Sequence, residues 1–345
     1  MSAPKQVVDW LLEVGLIDPA RLLDEELTLR DVSRRNRNTI VEWPDGSGYI
    51  VKQARDSERQ ASLANEWRLT ESAALLTDRN LRAPHPVRYD DATSRLVLEL
   101  APRTRPLRSV VRALPAVPAG LARRVGRTLK ALHKHTPPPE RASEKTPAFW
   151  VARLVAPALA DYARFSGATR VLVAALQSSR TIRGAVEELA ADEGAVCFVH
   201  GDIRWDNVLV ETESGRLWLI DWELAHWGNP LLDVGGFLAD CLWHWLTFVP
   251  TAGEMEANVD AAAKPLRGMQ SCFRAFWEAY GGAARGVGLH RLTRFCAIKL
   301  VQASFERTQV ADQFDRRIVL LLQLAENMLA KPESAERLLS GDRDA

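Results

Sequence analysis

The sequence predicts a mixed α+β protein built as two lobes, and three observations lead to this class. The chain has 345 residues, which is more than one hydrophobic core usually holds. Its first hundred residues contain short alternating apolar runs typical of antiparallel strands, whereas later apolar residues recur at helical spacing. We therefore expect a sheet-rich N-terminal lobe at 1–100, a linker at 101–117, a helical C-terminal lobe at 118–335 and a flexible tail at 336–345.

The N-terminal lobe is predicted to be an antiparallel meander with one inserted helix. After an amphipathic helix at 6–17, the strand-like runs lie at 27–32, 38–43, 48–54, 87–90 and 94–100. Two of these runs are joined by Pro44-Asp45-Gly46-Ser47-Gly48, a strong turn signal. The inserted helix is predicted over 57–77, where Ser57 and Gln60 fit a capping box.

The remaining chain is predicted to be helical around one short β island. A proline-rich stretch, 106–120, indicates an extended link into a helix at 118–135. Further helices are expected within 148–190 and from about 230 to 335. The β island between them comprises the runs 195–202, 207–211 and 216–223.

Composition excludes several classes of protein. The chain has 45 Lys and Arg against 44 Asp and Glu, and 47% of its residues are hydrophobic. This balance excludes bulk disorder and argues against a uniformly basic nucleic-acid binder. No stretch of 18 apolar residues or signal-peptide core occurs, so we expect a cytoplasmic protein without a membrane span. Four scattered cysteines without a C-x-x-C pair are expected to be reduced core residues.

Positive charge is concentrated between Glu99 and Glu140, where no acidic residue occurs. The nine basic residues of this segment are Arg103, Arg105, Arg108, Arg112, Arg123, Arg124, Arg127, Lys130 and Lys134. The segment is either a solvated basic face or a docking surface for an acidic partner.

The β island contains the acidic and amide residues that phosphoryl transfer requires. Asp202 is followed five positions later by Asn207, and a second acid, Asp221, comes after an apolar strand. In such a pattern one carboxylate accepts a hydrogen bond from an attacking hydroxyl group. The amide oxygen and the second carboxylate suit Mg²⁺ bound to nucleotide phosphates.

Three ordered motifs in this region resemble those of the aminoglycoside phosphotransferase and choline kinase superfamily, which has a protein-kinase-like fold. They are H-G-D-x-x-x-x-N at 200–207, I-D-W-E at 220–223 and G-N-P-x-x-D-V at 228–234. The resemblance covers roughly residues 25–310 and implies an ATP- and Mg²⁺-dependent kinase of hydroxyl groups. It implies that Asp202 is the catalytic base or the carboxylate that orients the hydroxyl group, and that Asn207 and Asp221 ligate Mg²⁺.

The resemblance also assigns supporting roles. His200 would brace the catalytic loop, and Asp233 would anchor the loop from below. Arg204 stands where protein kinases place a lysine, so its guanidinium is a candidate for neutralising charge on the transferred phosphoryl group, with a structural salt bridge as the alternative.

Nucleotide binding is assigned to the N-terminal lobe. The fold implies a lysine on the third strand, Lys52, clamped by a helix glutamate. Glu66 is the best candidate for this partner, and Glu58 and Glu71 are alternatives. The backbone of Glu99-Leu100 would read the adenine.

The loop expected to cover the phosphates departs from the family pattern because it contains no glycine. It reads Ser33-Arg34-Arg35-Asn36-Arg37-Asn38. Asparagine tolerates positive φ better than most residues, so Asn36 and Asn38 are candidates to replace glycine, with Ser33 beginning the loop.

The sequence constrains the acceptor of the phosphoryl group less than it constrains the reaction. From Leu231 to the C-terminus the chain has 14 acidic and 13 basic residues, which disfavours a polycationic acceptor. Tryptophans between 222 and 245 are either core residues or an aromatic wall for a choline-type substrate. A small-molecule hydroxyl and a Ser or Thr of a precursor peptide both remain open as acceptors. A pseudokinase that binds or regulates another enzyme is the alternative function.

Overall fold

Alternating strands and amphipathic helices form two units in the computed structural model of this chain. The structure describes residues 3–33, 36–76, 78–136, 150–191, 196–250, 255–282, 288–309 and 314–341. Unit 1 comprises Met1–Leu107 and Asp206–Ala225, and unit 2 comprises Arg108–Trp205 and His226–Ala345. The predicted α+β class is confirmed. Residues 206–225, expected in the C-terminal lobe, instead group with the N-terminal residues.

The helices and strands follow the predicted order with additions. The strands are β1 Thr28–Asp31, β2 Arg37–Glu42, β3 Gly48–Gln53, β4 Pro86–Asp90, β5 Arg95–Glu99, β6 Thr104–Pro106, β7 Cys197–Val199, β8 Val208–Glu211, β9 Leu217–Leu219 and β10 His226–Gly228. The helices are α1 Ala3–Glu13, α2 Pro19–Asp24, α3 Ser57–Ala74, α4 Leu107–Val111, α5 Ala119–Leu132, α6 Trp150–Val155, α7 Leu159–Arg164, α8 Gly167–Ser178, α9 Arg180–Ala190, α10 Leu231–Leu246, α11 Met255–Tyr280, α12 Leu289–Thr308, α13 Arg316–Ala330 and α14 Pro332–Ser340.

Unit 1 contains a five-stranded antiparallel sheet in the order β1-β2-β3-β5-β4. Residues of opposite parity face opposite sides of such a sheet. On one face, Val41, Val51 and Val97 pack with Trp10 and Leu11 of α1. On the other face, Ile50 of β3 and Leu96 and Leu98 of β5 lie at the alternate positions and pack with Leu63 of α3. The two apolar cores therefore fix the register of β2, β3 and β5.

Two local predictions in unit 1 are corrected by the structure. The cap of α3 is Asp56, whose carboxylate accepts the Arg59 N–H at 2.8 Å, and not the predicted capping box that begins at Ser57. An aspartate at this position satisfies an otherwise unpaired helix N–H. The short helix α2 was not predicted, although Asp18 caps it by accepting the Ala20 N–H.

The predicted extended linker contains regular structure. Strand β6 pairs with β8, giving unit 1 a second sheet in the order β6-β8-β9. The next residues form α4, in which Leu107 and Val111 are fully buried. Their spacing of four residues places both side chains on one helix face, which explains a helix where prolines suggested an extended chain. The predicted tail also begins within a helix, because α14 continues to Ser340; residues 342–345 lie outside the described residues.

Unit 2 is built mainly from helices packed on one aromatic core. Phe237 of α10 stacks on Phe276 of α11, with ring centroids 4.7 Å apart. Helix α5 lies close to α11 because Gly126 has no side chain; a Cβ there would lie 2.5 Å from the Phe276 carbonyl oxygen. The two-stranded sheet of unit 2 pairs β7 with β10. Among the described helices, none combines the length and the apolar character that crossing a membrane requires.

All four cysteines are buried and have free thiols, as predicted. They are Cys197, Cys241, Cys272 and Cys296. The sulfurs of Cys241 and Cys272 lie 3.8 Å apart, and burial raises the pKa of the Cys296 thiol. These thiols therefore act as small apolar core groups.

The close approach of α5 and α11 predicts a stability effect. We expect Gly126→Ala to lower the free energy of unfolding by about 1–3 kcal/mol, because a methyl group at this position overlaps the α11 backbone. Chemical denaturation measures this change. Gly184→Ala is the matched control: its helical site is open, so alanine should be neutral or stabilise by about 0.5–1 kcal/mol. Equal effects of the two substitutions would contradict the packing.

Candidate active site

A buried lysine in unit 1 contacts two carboxylates. Lys52 lies on β3, and its Nζ is 2.5 Å from Glu66 Oε1 of α3 and 2.5 Å from Asp221 Oδ1. Of the three glutamates considered for Lys52, Glu66 is the one in contact with it. We call Lys52, Glu66 and Asp221 the lysine cluster.

The lysine cluster keeps its ammonium charged despite burial. Burial alone would lower the pKa of Lys52, but the carboxylates of Asp221 and Glu66 raise that pKa above its ordinary value. Burial raises the pKa of Glu66 to about 7, an effect that Lys52 opposes. The second oxygen of Glu66 is buried and has no hydrogen-bond partner among the described residues, which is consistent with this direction.

The hairpin β8–β9 places Asn207 and Asp221 at the same end of unit 1. Val208 pairs with Leu219, and just beyond this pair the Ile220 N–H donates to the Asn207 carbonyl at 3.1 Å. Asp221 itself has a left-handed backbone, with φ of +70°. Such a conformation is costly for a residue other than glycine and concentrates at functional sites.

Asn207 and Asp221 fit a magnesium ion in donor chemistry. A carboxylate and an amide oxygen are hard donors, and Mg²⁺ takes one or two protein ligands together with phosphates and water. The carboxylate of Asp221 already contacts one cationic group, the Lys52 ammonium. Within the described residues, no group of three or more His, Cys, Asp or Glu side chains forms a metal cage. Asn207 and Asp221 are therefore the residues that would hold Mg²⁺ in this unit.

The glycine-free loop between β1 and β2 is closed by hydrogen bonds. The Asn38 N–H donates to Ser33 Oγ at 3.0 Å, and the Val32 N–H donates to the Asn38 carbonyl at 2.9 Å. Among described residues other than glycine, positive φ occurs at Ser94, Arg103 and Asp221 and not in this loop. We had expected Asn36 and Asn38 to replace glycine through a left-handed backbone. Neither asparagine has that conformation.

Polar groups of this loop nevertheless face the lysine cluster's side of the sheet. Asn38 is the register partner of Lys52 on the adjacent strand, so the two side chains share a face. The side-chain oxygens of Asn36 and Asn38 are buried and lack hydrogen-bond partners among the described residues. Arg34 and Arg35 lie outside the described residues.

Backbone N–H groups at the predicted adenine-reading position are already bonded. The Glu99 N–H donates to the His85 carbonyl at 2.8 Å, and the Leu100 N–H donates to the Gly48 carbonyl at 2.9 Å. Neither group can bond adenine without losing a bond within unit 1. Hydrogen bonds from this end of β5 to adenine would therefore involve carbonyl groups or the N–H of Ala101.

In unit 2, one buried carboxylate holds the start of the catalytic loop. Asp233 of α10 accepts the His200 N–H at 2.7 Å and the Gly201 N–H at 2.8 Å. Its Oδ2 also lies 3.1 Å from His133 Nε2, and His133 Nδ1 lies 3.0 Å from the Tyr280 hydroxyl. We call Asp233 and the groups bonded to it the aspartate anchor.

The aspartate anchor favours an ionised Asp233. Burial would raise the pKa of Asp233, but hydrogen bonds from His133 and the loop, together with nearby histidine charge, bring that pKa below its ordinary value. Because an ionised carboxylate only accepts hydrogen bonds, His133 Nε2 is the donor in its contact with Asp233. His200 is fully buried and its Nδ1 faces the Asp202 N–H at 3.4 Å, a bracing position rather than a reactive one.

Further contacts fix the loop around Asp202. The ammonium of Lys299, on α12, donates to the Gly201 carbonyl at 3.0 Å, and burial lowers the pKa of Lys299. The Trp205 N–H donates to Asp240 at 2.6 Å. Arg204 pairs with Glu306 at 2.6 Å, so the charge of its guanidinium is balanced by a carboxylate.

Several residues of this unit were not predicted from the sequence. His133, Tyr280, Lys299, Asp240 and Glu306 carry no local motif. For Lys299 a signal was present: a single lysine lies within the apolar run Cys296–Val301, on a helix face that must be buried. The others lie far in sequence from the groups that they contact, as His133 lies 100 residues from Asp233.

Three of the tryptophans and two arginines of the basic segment pack against or pair with other groups of the protein. Trp205 and Trp222 are both 1% exposed, so they belong to the core and not to a substrate wall. Trp243 lies under the Arg307 guanidinium at 3.9 Å. Within the basic segment, Arg103 pairs with Glu213 and Arg108 pairs with Asp240. The segment is thus partly neutralised by intramolecular ion pairs.

Comparisons with known proteins identify the family of this chain. A model of the phosphotransferase enzyme family, APH, matches residues 27–271. The chain belongs to this family. A 4-hydroxytryptamine kinase from Psilocybe cyanescens is 26% identical over 182 residues, which is 49% of this chain and 50% of that protein. The match thus spans about half the length of this curated relative.

Two solved structures show the fold of this family member. An ethanolamine kinase from Plasmodium vivax is 11% identical, with a TM-score of 0.56 over 94% of this chain and 88% of that chain. The ADP-bound aminoglycoside phosphotransferase APH(2'')-Ib is 15% identical, with a TM-score of 0.51 over 95% and 99% of the chains. At these identities the likeness establishes the protein-kinase-like fold alone.

The lowered pKa of Asp233 predicts how the contribution of this carboxylate to the free energy of unfolding depends on pH. A depressed carboxyl pKa stabilises the folded state above the unfolded pKa, and this contribution is lost as pH falls through the folded value. Asp233→Asn should lower the free energy of unfolding by about 3 kcal/mol at pH 7, because an amide cannot accept both loop N–H groups.

Denaturant titrations at several pH values measure this difference. The difference in free energy of unfolding between the unmodified protein and Asp233→Asn should remain constant from pH 8 to pH 5. It should become smaller only below about pH 4, near the ordinary pKa of aspartate. A difference that already narrows between pH 7 and pH 5 would mean that burial dominates and that the pKa of Asp233 is raised.

Proposed function

We propose that this protein is a Mg·ATP-dependent kinase that transfers the γ-phosphoryl group of ATP to a hydroxyl group of a small molecule. The observation that carries this proposal is the Lys52 ammonium held between Glu66 and Asp221, at 2.5 Å from each. In kinase folds, a lysine braced in this manner binds the α- and β-phosphates. The family match and the kinases among the similar proteins support the same reaction.

Unit 1 supplies the nucleotide side of the proposed reaction. Lys52 would bind phosphate oxygens, and the N–H of Ala101 would donate to adenine, since the preceding N–H groups are engaged. Asn207 and Asp221 would hold Mg²⁺, which neutralises phosphate charge when bound. The ADP-bound relative supports a purine nucleotide as the phosphoryl donor.

Unit 2 supplies the acceptor side of the proposed reaction. Asp202 would accept the hydrogen bond of the acceptor hydroxyl and orient it for attack. Asp233 and Lys299 hold the backbone on the N-terminal side of Asp202, and Asp240 holds Trp205 on the other side. The Arg204–Glu306 pair makes Arg204 a positioning residue for the loop, because a neutralised guanidinium contributes little additional charge to a phosphoryl group.

A cavity in unit 2 supports an aromatic acceptor. It measures about 490 Å³, within the range of small-molecule sites, and Phe165 and Phe305 meet there edge to face at 5.9 Å. Its charged lining residues are Arg153, Asp161 and Arg164. Phe305 lies on α12 immediately before Glu306, the partner of Arg204. The named substrate of the Psilocybe relative is itself an aromatic alcohol.

The other acceptors and functions that we considered have less support. One carboxylate against two arginines at the cavity gives no sink for a polycation, in agreement with the composition. Neither a peptide acceptor nor an acidic partner has a counterpart among the similar proteins described above, and the basic segment is partly neutralised. A pseudokinase remains the outcome that the following experiment distinguishes.

Two substitutions test the proposed roles separately. With 4-hydroxytryptamine, choline and an aminoglycoside as acceptors, we expect ADP formation to be fastest with the aromatic alcohol. Asp202→Asn should reduce turnover by about 10²–10⁴-fold while thermal stabilisation by Mg·ATP is retained. Lys52→Met should abolish that stabilisation.

Exposed residues provide the matched controls. Asp260→Asn and Lys264→Met, both on α11, make the same chemical changes at solvent-facing positions and should alter neither readout. Absence of both Mg·ATP stabilisation and ADP formation in the unmodified protein would refute the kinase and favour the pseudokinase. Stabilisation without turnover on any acceptor would refute the small-molecule acceptors tested.

A further inference from the structure

A row of three long polar side chains, two of them arginines, crosses the sheet of unit 1 on the face opposite Lys52. Arg37 of β2 is the register partner of Gln53 of β3, and Gln53 is the register partner of Arg95 of β5. Side chains directly opposite one another on adjacent strands lie on one face, about 5 Å apart. Because Gln53 follows Lys52 directly, this face is the one that Lys52 does not use.

The row borders a partly open cavity of about 300 Å³. Its floor is apolar and small, with Val51 1% and Thr39 6% exposed, and one wall is the first part of α1. The charged residues that line it are Asp31, Arg37, Arg55 and Arg95. Three guanidinium groups against one carboxylate give the cavity a net positive lining.

Arg95 shows that this positive charge is incompletely compensated. Burial lowers the pKa of Arg95, although Asp90 and Glu13 favour its charged form. Neither of these two carboxylates lines the cavity. The guanidinium stacks on Trp10 with its carbon 4.7 Å from the ring centroid, and its Nε is buried without a hydrogen-bond partner among the described residues.

An anion in the cavity would relieve these costs. A buried donor without a partner destabilises the folded state, and several guanidinium groups with one carboxylate repel one another. Phosphate oxygens match the fork of guanidinium N–H groups and form strong charge-assisted hydrogen bonds. Because the cavity is at the small end of ligand sites, the anion must be compact.

We infer that this cavity is a second anion site, which binds a compact ligand carrying one or two phosphate groups. Arg37, Arg55 and Arg95 bind the phosphate oxygens, and Thr39 and Gln6 offer neutral polar contacts. The site is separate from the lysine cluster because the sheet lies between them. The inference does not depend on the proposed kinase reaction.

Calorimetric titration with pyrophosphate and with inorganic phosphate tests this site in the full chain. The background is Lys52→Met, which removes phosphate binding at the lysine cluster, and sodium chloride keeps the ionic strength constant. Pyrophosphate should bind with one site per chain, more tightly than phosphate. Arg55→Gln and Arg95→Gln should each weaken pyrophosphate binding at least tenfold.

The control is Arg68→Gln, the same change on the exposed surface of α3, which should leave pyrophosphate affinity unchanged. Because Arg95 packs on Trp10 and its loss is structurally riskier, Arg55→Gln keeps the test decisive. Lack of pyrophosphate binding in the Lys52→Met protein would overturn the inference. Unchanged affinity in Arg55→Gln would overturn it as well, and so would malonate binding as tightly as pyrophosphate.

Discussion

The burial of ionised side chains is the constraint on which both units depend. An ammonium or carboxylate removed from water loses its charge unless opposite charges or hydrogen bonds replace its hydration. Lys52 keeps its charge through two carboxylates, and Asp233 keeps its charge through two backbone N–H groups and His133. The Lys52 ammonium thus links β3, α3 and the turn after β9. The Asp233 carboxylate links α10, the end of α5 and the catalytic loop.

Stability alone does not account for such groups. A buried ion pair contributes little net stability, and apolar residues of similar volume often stabilise a protein as well or better. The lysine cluster also includes Asp221 in a left-handed backbone, a conformation that costs on the order of 1–3 kcal/mol. A costly charge pair beside a strained residue is understandable if the fold positions these groups for a ligand. The energetic cost of the lysine cluster is therefore consistent with its proposed role in binding nucleotide phosphates.

The sequence predicted most strands, the principal helices and the motif residues, because period-two alternation and local spacing determine them. The Lys52–Glu66 pair was predictable because the fold resemblance specifies which strand and helix carry it. Contacts set by tertiary packing were not predictable. His133 reaches Asp233 across 100 residues of sequence, and the engaged N–H groups of Glu99 and Leu100 depend on how β5 ends. Asp56 displaced Ser57 as the helix cap because either side chain suits that position, and only the backbone decides between them.

Strand alternation also explains how one sheet carries the lysine cluster and the proposed anion site on separate faces. Lys52 and Gln53 are adjacent on β3, so they face opposite sides, each above a different apolar core. A register shift of one residue would exchange these faces and expose both cores to polar surroundings, so the cores that stabilise the sheet also keep the two sites separate. Substitutions of Arg55 or Arg95 therefore act on one face of the sheet and leave the lysine cluster on the other face intact.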